Sequence, residues 1–181
     1  MTEYYNLKVA GLERKLAICP VNEHLSIAGF IMFSDVELTV ACAAELLKAV
    51  PEFDVIVTAE SKGIPLAYEM ARQKGNGMKY IVARKMAKLY MHDPISVDVR
   101  SITTAADQKL WLDKNEVDYM SGKRILIVDD VVSTGESLEA LHKLISHTGG
   151  TIVGQAAVLA EGDAAKRDDL IFLAELPLFF K

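Results

Sequence analysis

Residues 125 to 137 read Ile, Leu, Ile, Val, Asp, Asp, Val, Val, Ser, Thr, Gly, Glu, Ser. An apolar strand delivers Asp129 and Asp130 at its carboxyl end, and a short loop of small and hydroxyl residues then leads into a helix. Ligands of open α/β sheets bind at the carboxyl ends of strands, and a helix start offers unpaired backbone N–H groups and a positive dipole end to an anion. Ser133, Thr134 and Ser137 add hydroxyl donors and Gly135 lets the backbone approach closely, so the loop suits a phosphate monoester. Two carboxylates would repel that phosphate unless they face something else. Ribose hydroxyls or a hydrated divalent cation, with Mg²⁺ the natural candidate, meet that need. A lone Asp-Asp pair ends strands and caps helices as a matter of course; the apolar run before this one and the Ser-Thr-Gly-Glu-Ser after it favour the site.

Two more anion candidates stand at strand ends. Glu60, Ser61, Lys62 and Gly63 follow a β-branched run and precede a helix, and Arg84, Lys85 and Lys88 place three cations within five residues after the next strand. Such groups are also common as a surface turn and as a solvated edge. Phe33, before the first long helix, packs near a ligand or serves as a staple or core residue. Glu161, Gly162 and Asp163 shape a pocket or make a turn.

The elements that must position these residues follow from periodicity. Asp35 to Val50 repeats apolar residues at helical spacing behind an acidic start; Phe53 to Thr58 reads as a buried parallel strand, Gly63 to Gln73 as a helix ended near Gly75, and Lys79 to Ala83 as a second strand. Residues 124 to 128 form a third strand, Leu138 to His147 a helix stopped by Gly149 and Gly150, Thr151 to Leu159 a fourth strand and Leu170 to Leu173 a fifth. Alternating strands and helices predict an α/β fold, a mostly parallel sheet with helices on both faces. Alternating segments at Ile95 to Ile102 and Lys109 to Leu112 predict a two-stranded antiparallel excursion, with Trp111 packing it onto the sheet.

Composition bounds the function. The 181 residues are 51% hydrophobic and 25% charged, enough for one domain with its own core. A formal charge of −5 supplies no global basic field, so nucleic acid is not an expected partner. No apolar stretch is long enough for a membrane span and no basic start precedes an apolar run, which predicts a cytoplasmic protein. Cys19 and Cys42, without metal-ligand spacing, are expected to be reduced, buried thiols. His24, His92, His142 and His147 receive no role, although His92 could close over the site.

The stretch Ile125 to Ser137 resembles the phosphoribosyl pyrophosphate (PRPP) signature of the type I phosphoribosyltransferases, and Arg84, Lys85, Lys88 and Leu89 resemble the Arg-Lys-x-x-Lys-Leu pattern of the adenine enzymes. The resemblance implies one domain over residues 1–181, with a small hood in 1–34 and a flexible two-stranded lid in 86–118. It also implies the site roles. Asp129 and Asp130 are the catalytic pair toward the ribose hydroxyls and Mg²⁺, the ion held indirectly through water or PRPP. Val132, Ser133, Thr134, Gly135, Glu136 and Ser137 surround the 5′-phosphate, Glu136 through its backbone N–H. Ser61, Lys62 and Gly63 grip the pyrophosphate, and Arg84, Lys85 and Lys88 contact PRPP, in part across a homodimer interface. Phe33, Ser34 and Asp35 stand where the adenine enzymes carry Phe-Arg-Asp, which makes Phe33 the base-binding residue; Ser34 departs from the pattern. The lid lacks the Leu-Glu-Tyr-Gly of those enzymes, leaving Asp98 or Asp107 either in place of its glutamate or as exposed loop carboxylates. The implied activity is transfer of ribose 5-phosphate from PRPP to a purine, adenine first, with xanthine or guanine as alternatives and a PRPP-sensing regulator as the non-enzymatic one.

Overall fold

The structure is a computed structural model that describes residues 3–99 and 108–181. Its centre is a five-stranded parallel sheet of β4 (Val55–Ala59), β5 (Tyr80–Ala83), β8 (Arg124–Val132), β9 (Thr151–Glu161) and β10 (Ile171–Leu176), in the order β10-β9-β8-β4-β5. The near-continuous apolar runs of these strands follow from burial on both faces. In β8, Leu126 and Val128 enter one core cluster while Ile125 and Ile127 enter the other, and all four are fully buried. Burial of one such side chain contributes about 1.5–3 kcal/mol.

On the first face lie α1 (Val36–Ala49) and α2 (Ile64–Lys74), with Leu38, Cys42, Leu46, Leu66 and Met70 in the core. Asp35 caps α1 by accepting the Leu38 N–H at 3.0 Å, as its acidic start predicts. The second face is covered by α4 (Glu136–Ser146), whose Leu138, Leu141, Leu144 and Ile145 make a single buried stripe. α3 (Lys114–Met120) brings Met120 into the same cluster.

The first strands form a hood. β1 (Tyr4–Val9), β2 (Leu12–Pro20) and β3 (Leu25–Ala28) pair antiparallel, and β11 (Leu178–Phe180) adds a fourth strand alongside β3. Arg14 of β2 fastens the hood to the helical face with a fork onto Asp35, 2.7 and 3.0 Å, and a bond to Glu37 at 2.8 Å. That guanidinium holds the Asp35 carboxyl below its ordinary range.

Several expectations need correction. β8 runs on through Val132 instead of ending before Asp129, because the long β9 supplies partners up to Val131↔Leu159 and Val132↔Ala160. Cys42 is buried, but Cys19 is exposed on β2; both are free thiols. The excursion is a hairpin of β6 (Ile95–Val99) and β7 (Gln108–Leu112). Leu110 and Leu112 are buried in the second cluster and anchor it, while half-buried Trp111 contributes a backbone bridge to Arg84 at 2.8 and 2.9 Å. Asp107, the alternative loop carboxylate, lies outside the described residues.

Candidate active site

In the order β10-β9-β8-β4-β5 the chain steps outward in opposite directions from the β4/β8 pair, so the topological switch point lies between these two strands. Their carboxyl ends carry Glu60 to Gly63 and Asp129 with Asp130. Together they floor a cleft of about 380 Å³ lined by Ser61, Lys62, Lys85, Asp129, Asp130 and Ser137, among others.

The floor is tightly built. Asp130 N–H donates to Asp129 Oδ1 at 2.8 Å, and Lys62 Nζ lies 3.1 Å from Asp130 Oδ2. That oxygen is buried and ion-paired yet accepts no hydrogen bond among the described residues, and Thr58 Oγ1 nearby is likewise buried without one. Desolvation, followed by the Asp130 charge, pushes the Asp129 carboxyl up to about 8, with Lys62 pulling the other way. Gly63 gives Asp129 room: a β-carbon there would lie 2.4 Å from Thr58 Oγ1 and 3.0 Å from Asp129 Oδ1. The Glu60–Ser61 peptide is cis.

Glu60 joins the two cationic strand ends. Its carboxylate accepts the Lys85 N–H at 2.9 Å and lies 3.4 Å from Arg84 Nη2. Arg84 faces Glu60 and does not line this cleft, whereas Lys85 is exposed and does. Lys88 lies outside this cleft, its N–H donating to Met91 Sδ at 3.4 Å.

A second cavity, about 510 Å³, opens where the hydroxyl loop meets the hood. Ser133, Thr134, Glu161, Gly162, Asp163 and Arg167 form its polar part, and Val21, Leu25, Ile27 and Leu178 its apolar part. Gly135 takes φ +83° just before α4, a conformation that glycine adopts without penalty. Desolvation raises the Glu161 carboxyl above its ordinary range, against the opposing charge of Lys62.

A family profile for the phosphoribosyl transferase domain matches residues 41–174, well over half the chain and all of this site except the hood wall. The chain belongs to this family. It is 31% identical over 129 residues to an adenine phosphoribosyltransferase of Rhodococcus jostii, covering 71% of this chain and 69% of that one. It is also 31% identical over 121 residues to a xanthine phosphoribosyltransferase of Exiguobacterium, covering 66% and 61%. The chain thus spans about two thirds of the length of these relatives. A crystal structure of the Saccharomyces cerevisiae adenine phosphoribosyltransferase shares the fold, with a TM-score of 0.68 at 20% identity over 88% of this chain and 92% of that one.

The phosphoribosyl transferase fold therefore brings Ser61, Lys62, Lys85, Asp129, Asp130 and Ser137 to one cleft and Ser133 and Thr134 to the adjoining cavity. Gly63 and Gly135 stand behind them as backbone cradles, Val132 is buried and Glu136 opens α4. Phe33 lines neither cavity; it is 46% exposed, whereas its neighbours Phe30 and Met32 take the core positions. The backbone of His92 is tied to the start of α3, its N–H on Asp113 Oδ2 at 2.7 Å and its carbonyl accepting from the Lys114 N–H at 3.1 Å, and His92 does not line the cleft. Sequence reasoning missed Lys109, which reaches the cleft from β7 and lies 3.5 Å from Asp98 of the facing strand. It also missed Arg167.

Magnesium can be tested against the residues present. Among the described residues no three His, Cys, Asp or Glu side chains converge as a metal cage. Two adjoining carboxylates with one unsatisfied buried oxygen fit Mg²⁺ as an ion that keeps water and takes its other ligands from substrate oxygens.

Proposed function

We propose that the protein is a purine phosphoribosyltransferase that joins adenine to the ribose 5-phosphate of PRPP, releasing pyrophosphate. The observation that carries this reading is the Asp129–Asp130 pair at the switch point, with Lys62 and Lys85 on one side and the Ser133–Ser137 loop on the other. A base nitrogen attacks C1 of the ribose while the bond from C1 to the pyrophosphate oxygen breaks, its electron pair leaving with pyrophosphate; the nitrogen's proton passes to solvent. Positive charge develops on the ribose ring as in glycoside cleavage. Asp129 and Asp130 face the ribose hydroxyls and help offset that charge. Lys62 and Lys85, with Ser61, receive the growing negative charge of the leaving group. Mg²⁺, when bound, neutralises pyrophosphate oxygens. The rest of the catalysis is alignment of two bound reactants.

The apolar wall of Ile27, Leu25 and Leu178 beside Glu161 suits a flat base whose edge bears N–H groups, which supports a purine. Adenine is favoured by the Arg84 to Leu89 pattern. Xanthine is the second reading, because a xanthine enzyme is as similar as an adenine one.

A second copy of the chain is the proposed partner, since Met86, Leu89 and Tyr90 expose apolar side chains beside the cationic strand end, and Val36, Val40 and Tyr68 expose more on α1 and α2. The proposed location is the cytoplasm, where Cys19 would stay an exposed free thiol. No helix among the described residues is long and apolar enough to cross a membrane. The deciding experiment measures pyrophosphate release from PRPP and Mg²⁺ with adenine, guanine, hypoxanthine, xanthine, uracil and orotate offered separately. Turnover with adenine establishes the reading, turnover with another base replaces the substrate, and PRPP binding without turnover on any base leaves a PRPP sensor.

A further inference from the structure

The cavity beside the hydroxyl loop has a cation that the reaction above does not use. Arg167 follows the short turn Gly162–Lys166 and lines the cavity with Ser133 and Thr134. Two of its nitrogens are committed: Nε donates to Asp169 Oδ1 at 3.0 Å and Nη2 to Asp169 Oδ2 at 2.8 Å. Asp169 is itself steadied, since Oδ2 also accepts from Gln155 Nε2 at 2.7 Å, and Gln155 is a buried residue of β9. The third nitrogen, Nη1, makes no hydrogen bond among the described residues and lies against the loop. A β-carbon on Gly135 would sit 3.0 Å from it.

A phosphate monoester carries close to two negative charges at neutral pH. The loop offers it hydroxyls, backbone N–H groups and the α4 dipole, all of them partial charges. The other charged residues of the cavity wall are carboxylates: Glu161, and Asp163, which is taken up by Lys166 at 2.7 Å. Arg167 is the full cation of that wall among the described residues. A guanidinium held by one edge on a carboxylate presents its other edge already oriented, so it loses little freedom when an anion arrives. Glycine at position 135 keeps the gap between this edge and the loop open.

We infer that Arg167 holds the 5′-phosphate of the substrate together with the Ser133–Ser137 loop, and that Asp169 is the positioning residue that aims it. This rests on the transferase reading. The test is calorimetric titration of the full chain with ribose 5-phosphate and, separately, with pyrophosphate and Mg²⁺. Arg167→Gln is expected to weaken ribose 5-phosphate by about ten- to a hundredfold, the loss of one charge-assisted contact, and to leave pyrophosphate within about twofold. Arg167→Lys should recover part of the loss, because the charge stays while the fork goes. Asp169→Asn should weaken ribose 5-phosphate less than Arg167→Gln does. The inference is overturned if Arg167→Gln leaves ribose 5-phosphate unchanged or weakens both ligands alike. If the unaltered protein binds neither ligand, the transferase reading falls and Arg167's role falls with it; if it binds both and Arg167→Gln has no effect, only the assignment of Arg167 falls.

Discussion

Asp129 rests directly on Gly63: a methyl group at position 63 would press 2.4 Å from Thr58 Oγ1 and 3.0 Å from Asp129 Oδ1. The two strand ends flanking the switch point are thus in contact, and the backbone of one sets the carboxylate of the other. Gly63→Ala should displace Asp129, lower turnover by on the order of a hundredfold and cost about 1–3 kcal/mol of stability through overpacking. Parallel measurement of kcat and of urea unfolding checks this; a variant with full turnover would show that Asp129 need not hold this position.

Desolvation makes the Asp129 carboxylate unfavourable in the fold, and the proposed transferase reaction would use that same group. Its folded carboxyl is raised to about 8, so the native state holds a proton that the unfolded chain has released between the ordinary carboxylate range and that value. Stability must therefore fall as pH rises through this window. Asp129→Asn should flatten the fall and make the free protein more stable at neutral pH, while turnover drops by about a hundredfold or more. Thermal melts from pH 4 to 8, set beside kcat, read both effects. Lys48→Ala, at an exposed pair on α1, should change neither.

Asp54 contributes with the opposite sign. Hydrogen bonds from the Arg124 guanidinium and backbone N–H lower its carboxyl to about 2, fastening the start of β8 beside β4. This stabilisation is complete above the ordinary carboxylate value and is lost as pH falls toward 2. Both side chains are substantially exposed, so salt screens the pair. Asp54→Asn should lower the melting temperature at pH 6 and leave it unchanged near pH 2, with the gap at pH 6 narrowing in high salt.

Lys109 extends the cleft's positive side from a strand outside the central sheet. Lys109→Gln should raise the KM for PRPP by about tenfold with a smaller effect on the KM for the base, as expected for a contact to phosphate oxygens. Equal effects on both substrates would assign Lys109 to hairpin packing instead. Removal of residues 95–112 cannot serve as this test, because Leu110 and Leu112 would leave the core with them.

The parts legible in the sequence were those governed by short-range pattern. α1 and α4 carry their apolar residues at helical spacing, and β4 and β8 are apolar runs that only a doubly covered sheet demands. The Asp129 to Ser137 stretch carries its chemistry in consecutive residues. The hood in 1–34 came from the family resemblance and not from periodicity, because β1 and β2 are half exposed, with muted alternation, and because β11 pairs with β3 from a distant part of the sequence. α3 escaped although it had a signal: Asp113 and Glu116 form a reciprocal capping box three residues apart. Lys109 and Arg167 depend on pairing register and on a distant turn, which no local spacing encodes.

The union of β11 with β3 also sets an order of events during synthesis. Leu178 pairs with Ile27, and both line the cavity against the Ser133–Thr134 loop. A growing chain can assemble β4, β8 and their carboxylates while Leu178 is still unmade, but that cavity then lacks a wall. Closure of that wall waits for residues translated long after the strand they complete.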